Sequence, residues 1–450
     1  MKAYVVTGVH ILANSGSSMQ SQEEEHWVRT SEDIFRRDRR PLPISLSLIQ
    51  DHERTLHSLP EYIESIDAMR SDEVISSQVD KSVGTPFSRY FLSAEGVVDR
   101  ILFGTFRRQG GYNFEEICFE EEYVEMENAF YEDFISFQII APLIPFKSMV
   151  DAIDLGENIK IKQLSDEEIN LLIQIGIYAS LPYGTARVPQ CAIRYHYSLP
   201  KVIGDRSFTP AEKTQMFKEQ KEIGDLIEEI LQALQAFKWW HCGLTAMIHH
   251  TSNWLLQGAL RFQSFPTMYQ WNPEYVCSKE DADSFSKFWS DIGKIHQQVR
   301  RRYLDVALRR FGYAGERHRP EDQVIDLLIA AEALFLNDHE GKKNVGELSF
   351  RLSLRAAMFI DTEAEKQEEI YNHIRRAYDI RSTIVHGGSP KLPMKTDGTV
   401  YSLSEFSEIT SEYIRMAIHK VIGLAKNPSA PQNLIDWDGL IFHRGPKMTT

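Results

Sequence analysis

Cysteine is scarce in this chain: Cys118, Cys191, Cys242 and Cys277 are the only four in 450 residues. None forms a C-x-x-C pair, which removes a disulfide scaffold and a standard zinc ribbon. The four read as reduced thiols of a cytoplasmic protein. Long apolar runs are missing too. A membrane helix needs roughly 18–20 apolar residues, and the best run, Ile139 to Phe146, is short and carries Pro142 and Pro145. Thr7, Gly8 and His10 interrupt Ala3 to Ala13, so the opening reads as a strand rather than a signal peptide. Secretion and membrane insertion are disfavoured. Neither a Walker A nor a G-x-G-x-x-G spelling occurs, against a nucleotide-driven machine, and there is no internal repeat or low-complexity segment. Basic charge is the minority, 50 Lys and Arg against 64 Asp and Glu, net −14. That argues against a surface coated in nucleic acid but leaves room for a local basic site.

The charge that is present is unevenly spread. Glu115 to Asp133 holds nine acids and no base, which reads as a solvated face. Arg300 to Arg319 holds seven arginines against Asp305 and Glu316. Tyr371 to Lys395 holds Arg375, Arg376, Arg381, Lys391 and Lys395 against Asp379 alone. Both basic blocks lie in the C-terminal third, against the sign of the whole chain, as a polyanion site would.

At roughly 100–200 residues per domain the length calls for two to four units. Apolar runs at Tyr4–Leu12, Ile44–Ile49 and Phe134–Pro145 read as strands, and Ile159 to Lys162 alternates with period two. Ser165 and Glu168 spell a capping box that opens a helix through about Ser180, followed by a loop at Leu181 to Pro189. Residues 1–200 thus form an α+β unit. Thr209-Pro210-Ala211-Glu212 is a second capping box, starting a helix to about Trp240. Helical patterns continue over Leu244–Phe262, Asp281–Val299 and Arg302–Phe311. From Pro320 four helices follow: Val324 to Leu336, Leu348 to Ile360, Glu363 to His386 and Ser404 to Leu424. Short connections between them suggest a bundle. Residues 427–450 are a tail.

The third of these helices carries the chemistry. Ile370, Ile374, Ala377, Arg381 and Ile384 repeat at spacings of four, three, four and three, an apolar seam with an arginine in it. A buried guanidinium needs a partner or a job. Glu332, inside the apolar helix Ile325 to Leu336, poses the opposite problem, and a Glu332–Arg381 ion pair would settle both. His386 falls in the last turn before Gly387-Gly388, a natural helix stop. An arginine and a histidine at a helix end suit RNA cleavage without a metal. The histidine moves the proton at the 2′-hydroxyl or leaving oxygen, and the arginine stabilises the phosphorane. The Arg-x4-His spacing by itself is no rarer than chance; its setting is what distinguishes it. His241, Cys242, His249 and His250 have metal-like types but no completing carboxylate, and read as structural. Trp239, Trp240, Trp254 and Trp271 read as packing.

Ala377 to Gly388 (AYDIRSTIVHGG) closely resembles the signature helix of the HEPN superfamily, specifically its ApeA-like branch. Asp326 to Phe335 resembles that branch's first acidic core helix, and Glu347 to Ala357 its second. The resemblance is strong over about 300 to 425. It implies an all-α domain that dimerises across the signature helices, so that Arg381 and His386 of both copies share one cleft. It further implies a metal-independent endoribonuclease leaving 2′,3′-cyclic phosphate ends, with no cofactor, set in prokaryotic antiviral (abortive infection) defence and answering a phage-derived trigger. Glu332 and Ser382 would support the site, while Arg375, Arg376 and Lys391 would bind RNA. Two positions depart from the pattern: Ser382 stands where active relatives often have Asn, Asp or His, and Gly388 where adenylylated toxins have tyrosine. The expected whole is an α+β N-terminal region (1–200) that senses or selects, a helical connection (201–299), a HEPN-like four-helix bundle (300–426) and a tail (427–450), in a cytoplasmic homodimer. The rival reading is a non-catalytic HEPN-fold module that binds RNA or protein, or only dimerises.

Overall fold

The computed structural model describes residues 1–15, 23–30, 34–41, 46–111, 113–181, 185–205, 207–256, 261–265, 275–298, 302–337, 347–395, 397–426 and 435–441. The chain is mixed α+β, with its sheets before residue 278 and many helices in the C-terminal half. It divides into two compact units, each woven from separate stretches of sequence.

The first unit comprises Met1–Pro142, Leu164–Glu219 and Ala246–Ser264. Its opening segment is a helix, Lys2–Ser15, not the strand expected for Tyr4–Leu12. Tyr4, Val5, Gly8, Val9 and Leu12 are buried along one face, a helical period that the short apolar run concealed. Gly8 lets this helix close on Leu102, whose methyl carbons would sit 3.1 and 3.2 Å from a Cβ there. The run at Ile44–Ile49 is likewise helical from Leu46 on, as part of Leu46–His57; Ile44 and Pro43 before it lie outside the described residues. These helices share a core with Pro60–Ser71, Ala94–Gln109 and Glu116–Tyr131.

Phe134–Ile144 is the strand its run of apolar residues predicts. It lies between Ala246–His250 and Cys191–Pro200, and Arg261–Ser264 pairs with the far edge of Ala246–His250. The helix expected over Leu244–Phe262 is therefore replaced by strands and one short 3-10 turn at Trp254–Leu256. Buried Ala246 and Ile248 alternate with less buried Met247 and His249, the period of a strand. The Ser165–Glu168 capping box forms as spelled, but its helix stops at Gln174. Part of the expected loop at Leu181–Pro189 pairs as the strand Thr185–Arg187.

The second unit comprises Leu143–Gln163, Gln220–Thr245 and Phe265–Thr450. Its hairpin, Ala152–Gly156 with Ile159–Gln163, is held to the helix Lys279–Gln298, where Trp289 Nε1 donates to the Leu155 carbonyl at 2.9 Å. Beyond Cys277 every regular element among the described residues is helical, apart from one bridge between Met394 and Val400. The helix Pro320–Phe335 packs against each of Arg302–Glu316, Leu348–Ile360, Ala364–Val385 and Leu403–Ala425. A helix touched on all sides must be apolar all round, and Val324, Leu327, Leu328, Ala330, Ala331, Leu334 and Phe335 are buried accordingly. From the tail, Trp437 packs between Phe335 and Phe359 with the Arg355 guanidinium over its ring. All four cysteines are buried and none is in a disulfide, and no helix among the described residues is long and apolar enough to cross a membrane.

Candidate functional site

The signature helix runs Ala364–Val385. Its buried stripe is Ile370, Ile374, Ala377 and Ile380. The stripe thus turns to Ile380 instead of continuing through Arg381 and Ile384, which are half-buried at its flank. The arginine is therefore not a core residue of the stripe. Among the described residues no ion pair joins Glu332 to Arg381; Glu332 is itself only half-buried. What Arg381 does have is the Tyr378 ring, 6.0 Å from its guanidinium carbon. Its Nε is shut off from solvent and finds no hydrogen-bond partner among the described residues.

The helix ends in a Schellman motif. The Gly387 N–H donates to the Ile384 carbonyl and the Gly388 N–H to the Thr383 carbonyl, both at 2.9 Å. Gly387 has φ +76°, where a side chain would be strained. A Cβ on Gly388 would lie 2.9 Å from Thr383 Cγ2, so the return of the chain against its own helix needs both glycines. His386 is the C-cap, exposed, with its N–H on the Ser382 carbonyl at 3.2 Å. The helix thereby fixes the backbone of a histidine whose ring solvent can reach.

The basic residues fall into two kinds. Arg375 is exposed and donates to the Tyr371 hydroxyl at 3.1 Å. Lys391 is exposed as well, and its carbonyl accepts from Arg376 Nη2 at 2.6 Å, which ties the chain after the glycines back onto the helix. Arg376 thus acts as a tether while Lys391 stays available. Further along, Lys395 pairs with Glu405 at 2.6 Å, and Glu405 also closes the Ser402 capping box. These bonds hold the Glu405 carboxyl down to about 2.

The structure supplies roles that the sequence reading missed. Arg310 and Arg317 of the first basic block both bind the buried carboxylate of Asp326 at 2.8 Å, so they are spent on the fold. Glu122, in the acidic block read as a solvated face, is buried; it accepts from Trp254 Nε1 at 2.6 Å and Arg108 Nε at 2.7 Å. His373, on the signature helix, stacks on Phe406 and meets Thr410 Oγ1 at 2.9 Å, and burial pushes it down to about 4. Among the described residues no group of His, Cys, Asp and Glu could hold a metal ion. His241 Nδ1 faces the Gly315 carbonyl at 3.1 Å, and His249 Nδ1 meets the Tyr197 hydroxyl at 2.9 Å. Trp239, Trp240 and Trp254 are buried as packing residues, while Trp271 lies outside the described residues.

Tyr371, Arg375, Tyr378, Ser382 and Val385 recur at four, three, four and three along the same helix, and none of them is buried. This is the period of a helix seam; at its start the Tyr371 ring meets Phe350 of the helix Leu348–Ile360, centroids 6.2 Å apart. No family model, no curated protein and no solved structure gives a significant match to this chain.

Proposed function

We propose that the chain is a metal-independent endoribonuclease of the HEPN type, acting as a homodimer through the Ala364–Val385 helix. The observation that carries this reading is Arg381 itself: a cation whose Nε is removed from water and given no acceptor among the described residues. An unspent charged donor is costly to keep unless something else completes it, and a phosphate is its natural complement. Five residues on, solvent-facing His386 can take the proton of a ribose 2′-hydroxyl or give one to the 5′-leaving oxygen. The 2′-oxygen is then the nucleophile, and the product ends are a 2′,3′-cyclic phosphate and a 5′-hydroxyl. Arg381 would offset the charge gained by the phosphorane. The seam from Tyr371 to Val385 supports a second copy lying against the same face, bringing two such pairs to one cleft. Lys391 and Arg375 extend the positive field along the RNA, with Glu332 and Ser382 in supporting places. Prokaryotic antiviral defence with a phage-derived trigger is the setting that the family resemblance adds.

A second reading is a non-catalytic HEPN-fold module that binds RNA or a partner protein. It is favoured by the exposed apolar side chains of Val385, next to His386 in the chain, and of Met394 and Val400, which pair in a bridge after the glycines. Cleavage of a labelled single-stranded RNA and thermal melts, run together on the wild type, His386→Ala and Arg381→Ala, separate the two. The nuclease reading expects folded variants with cleavage lost. Equal cleavage by wild type and His386→Ala, or no cleavage by the wild type with RNA still bound, favours the binding module.

A further inference from the structure

The second unit contains a recess of about 720 Å³ whose lining includes none of the residues of the proposed nuclease site. That size suits a small organic ligand. Its walls come from the ends of several helices, and its rigidity has a visible cause. A Cβ on Gly315 would strike the Trp240 carbonyl at 2.2 Å, so the helix Arg302–Glu316 reaches the Trp240–His241 segment only through glycine. Trp240 is fixed by its indole N–H on the Phe311 carbonyl at 3.0 Å, and the His241 ring lies 4.5 Å from it, centroid to centroid. With Nδ1 committed to the Gly315 carbonyl, His241 has only Nε2 left to offer. Tyr275 adds a third ring to the lining.

The charges around this aromatic wall are not balanced. The two lining cations are already spent: Lys238 on Asp281 and Arg317 on Asp326, each at 2.8 Å. Of the lining carboxylates, Glu412 has Arg415. Glu316 and Glu408 have no ion-pair partner among the described residues. Glu316 is reached by solvent yet packed deeply enough that desolvation, with Glu228 adding to it, holds its carboxyl above the ordinary range. Among the described residues its carboxyl receives one hydrogen bond, a long one from Gln235 Nε2 at 3.4 Å. Flat aromatic walls and two unspent carboxylates in one cavity are the complement of a single kind of molecule.

We infer that this recess binds a small organic cation, an amidinium or primary ammonium on a flat apolar body, with Glu316 and Glu408 receiving the charge and Trp240, His241 and Tyr275 the body. The inference does not depend on the nuclease reading. It is tested on the full-length chain by calorimetric titration with three molecules of one shape and different charge: benzamidine, benzamide and benzoate. Benzamidine should bind saturably at one site per chain, and the other two should not. Glu316→Gln and Glu408→Gln should each weaken benzamidine by about tenfold, the loss of one charged hydrogen bond. Glu408 is exposed on its helix, so its variant folds whatever Glu316→Gln does. Benzoate binding as tightly as benzamidine would overturn the assignment, as would no saturable benzamidine binding up to about 10 mM, beyond the weakest affinity useful for such a site. Benzamidine binding that both variants leave unchanged would overturn it equally.

Discussion

Arg381 is the residue on which two accounts of the helix diverge. A core arginine paired with Glu332 would cost about 3–5 kcal/mol to break. The flanking Arg381 found here has no such pair, so Arg381→Ala should lower stability by about 1 kcal/mol or less. Glu332→Gln should change it by about 0.5 kcal/mol or less, as a substitution outside any network does. Urea unfolding of both variants measures this, and a loss of several kcal/mol in either would restore the buried pair. Glu122 is the contrasting case. Its carboxylate satisfies Arg108 and the Trp254 indole inside the first unit; Arg108 keeps Glu125 and Glu121, so Glu122→Ala should cost about 2 kcal/mol, chiefly by leaving the buried Trp254 indole N–H unpaired. A drop in thermal midpoint, with the unit's far-ultraviolet signal retained at low temperature, is the expected result. A single residue in an acidic run gave no sign of this, because the sequence does not show that Arg108 and Trp254 come to meet it.

At the scale of the element, the end of the Ala364–Val385 helix is set by backbone geometry rather than by side chains. Gly387→Ala forces a Cβ into φ +76° and should cost about 1–2 kcal/mol, while a Gly388→Ala change meets Thr383 instead. Hydrogen exchange at the amides of residues 384–388 should speed in Gly387→Ala; unchanged protection would mean that the helix ends there for another reason. This element was legible because its signals are local: a Gly-Gly stop and a 3.6 period. The same holds for Thr209 with Glu212 and Ser165 with Glu168, whose boxes form as written. The misread elements were those decided from afar. Tyr4–Leu12 is too short for periodicity to choose helix over strand, and packing of Gly8 on Leu102 decides it. Ala246–His250 becomes a strand because Phe134–Ile144 offers an edge there. Arg381 and His386 stand out as candidates in the sequence alone, whereas the Tyr371–Val385 stripe became visible only once burial was known.

On the scale of the whole molecule, each unit carries a histidine that folding holds neutral. His249 in the first and His373 in the second are both pushed down to about 4 from an ordinary 6.5, by burial above all. A pKa lowered on folding gives stability that is fully present above pH 6.5 and is lost as pH falls toward 4. Thermal midpoints should therefore fall across that window, and His373→Gln should flatten the fall; an unchanged slope would remove His373 as a cause. If the Ala364–Val385 helix is the proposed dimer seam, light scattering at micromolar concentration should give twice the chain mass, and Tyr378→Glu should return the monomer. With a net charge of −14, RNA binding by so local a basic site should weaken steeply with salt. The central claim, that Arg381 and His386 do the chemistry on the RNA's own 2′-oxygen, is met most directly by end-group analysis of RNA incubated with the wild-type chain in EDTA. The account predicts cleavage with 2′,3′-cyclic phosphate and 5′-hydroxyl ends. Cleavage that appears only when Mg²⁺ or Mn²⁺ is added, or that leaves 5′-phosphates, would contradict it.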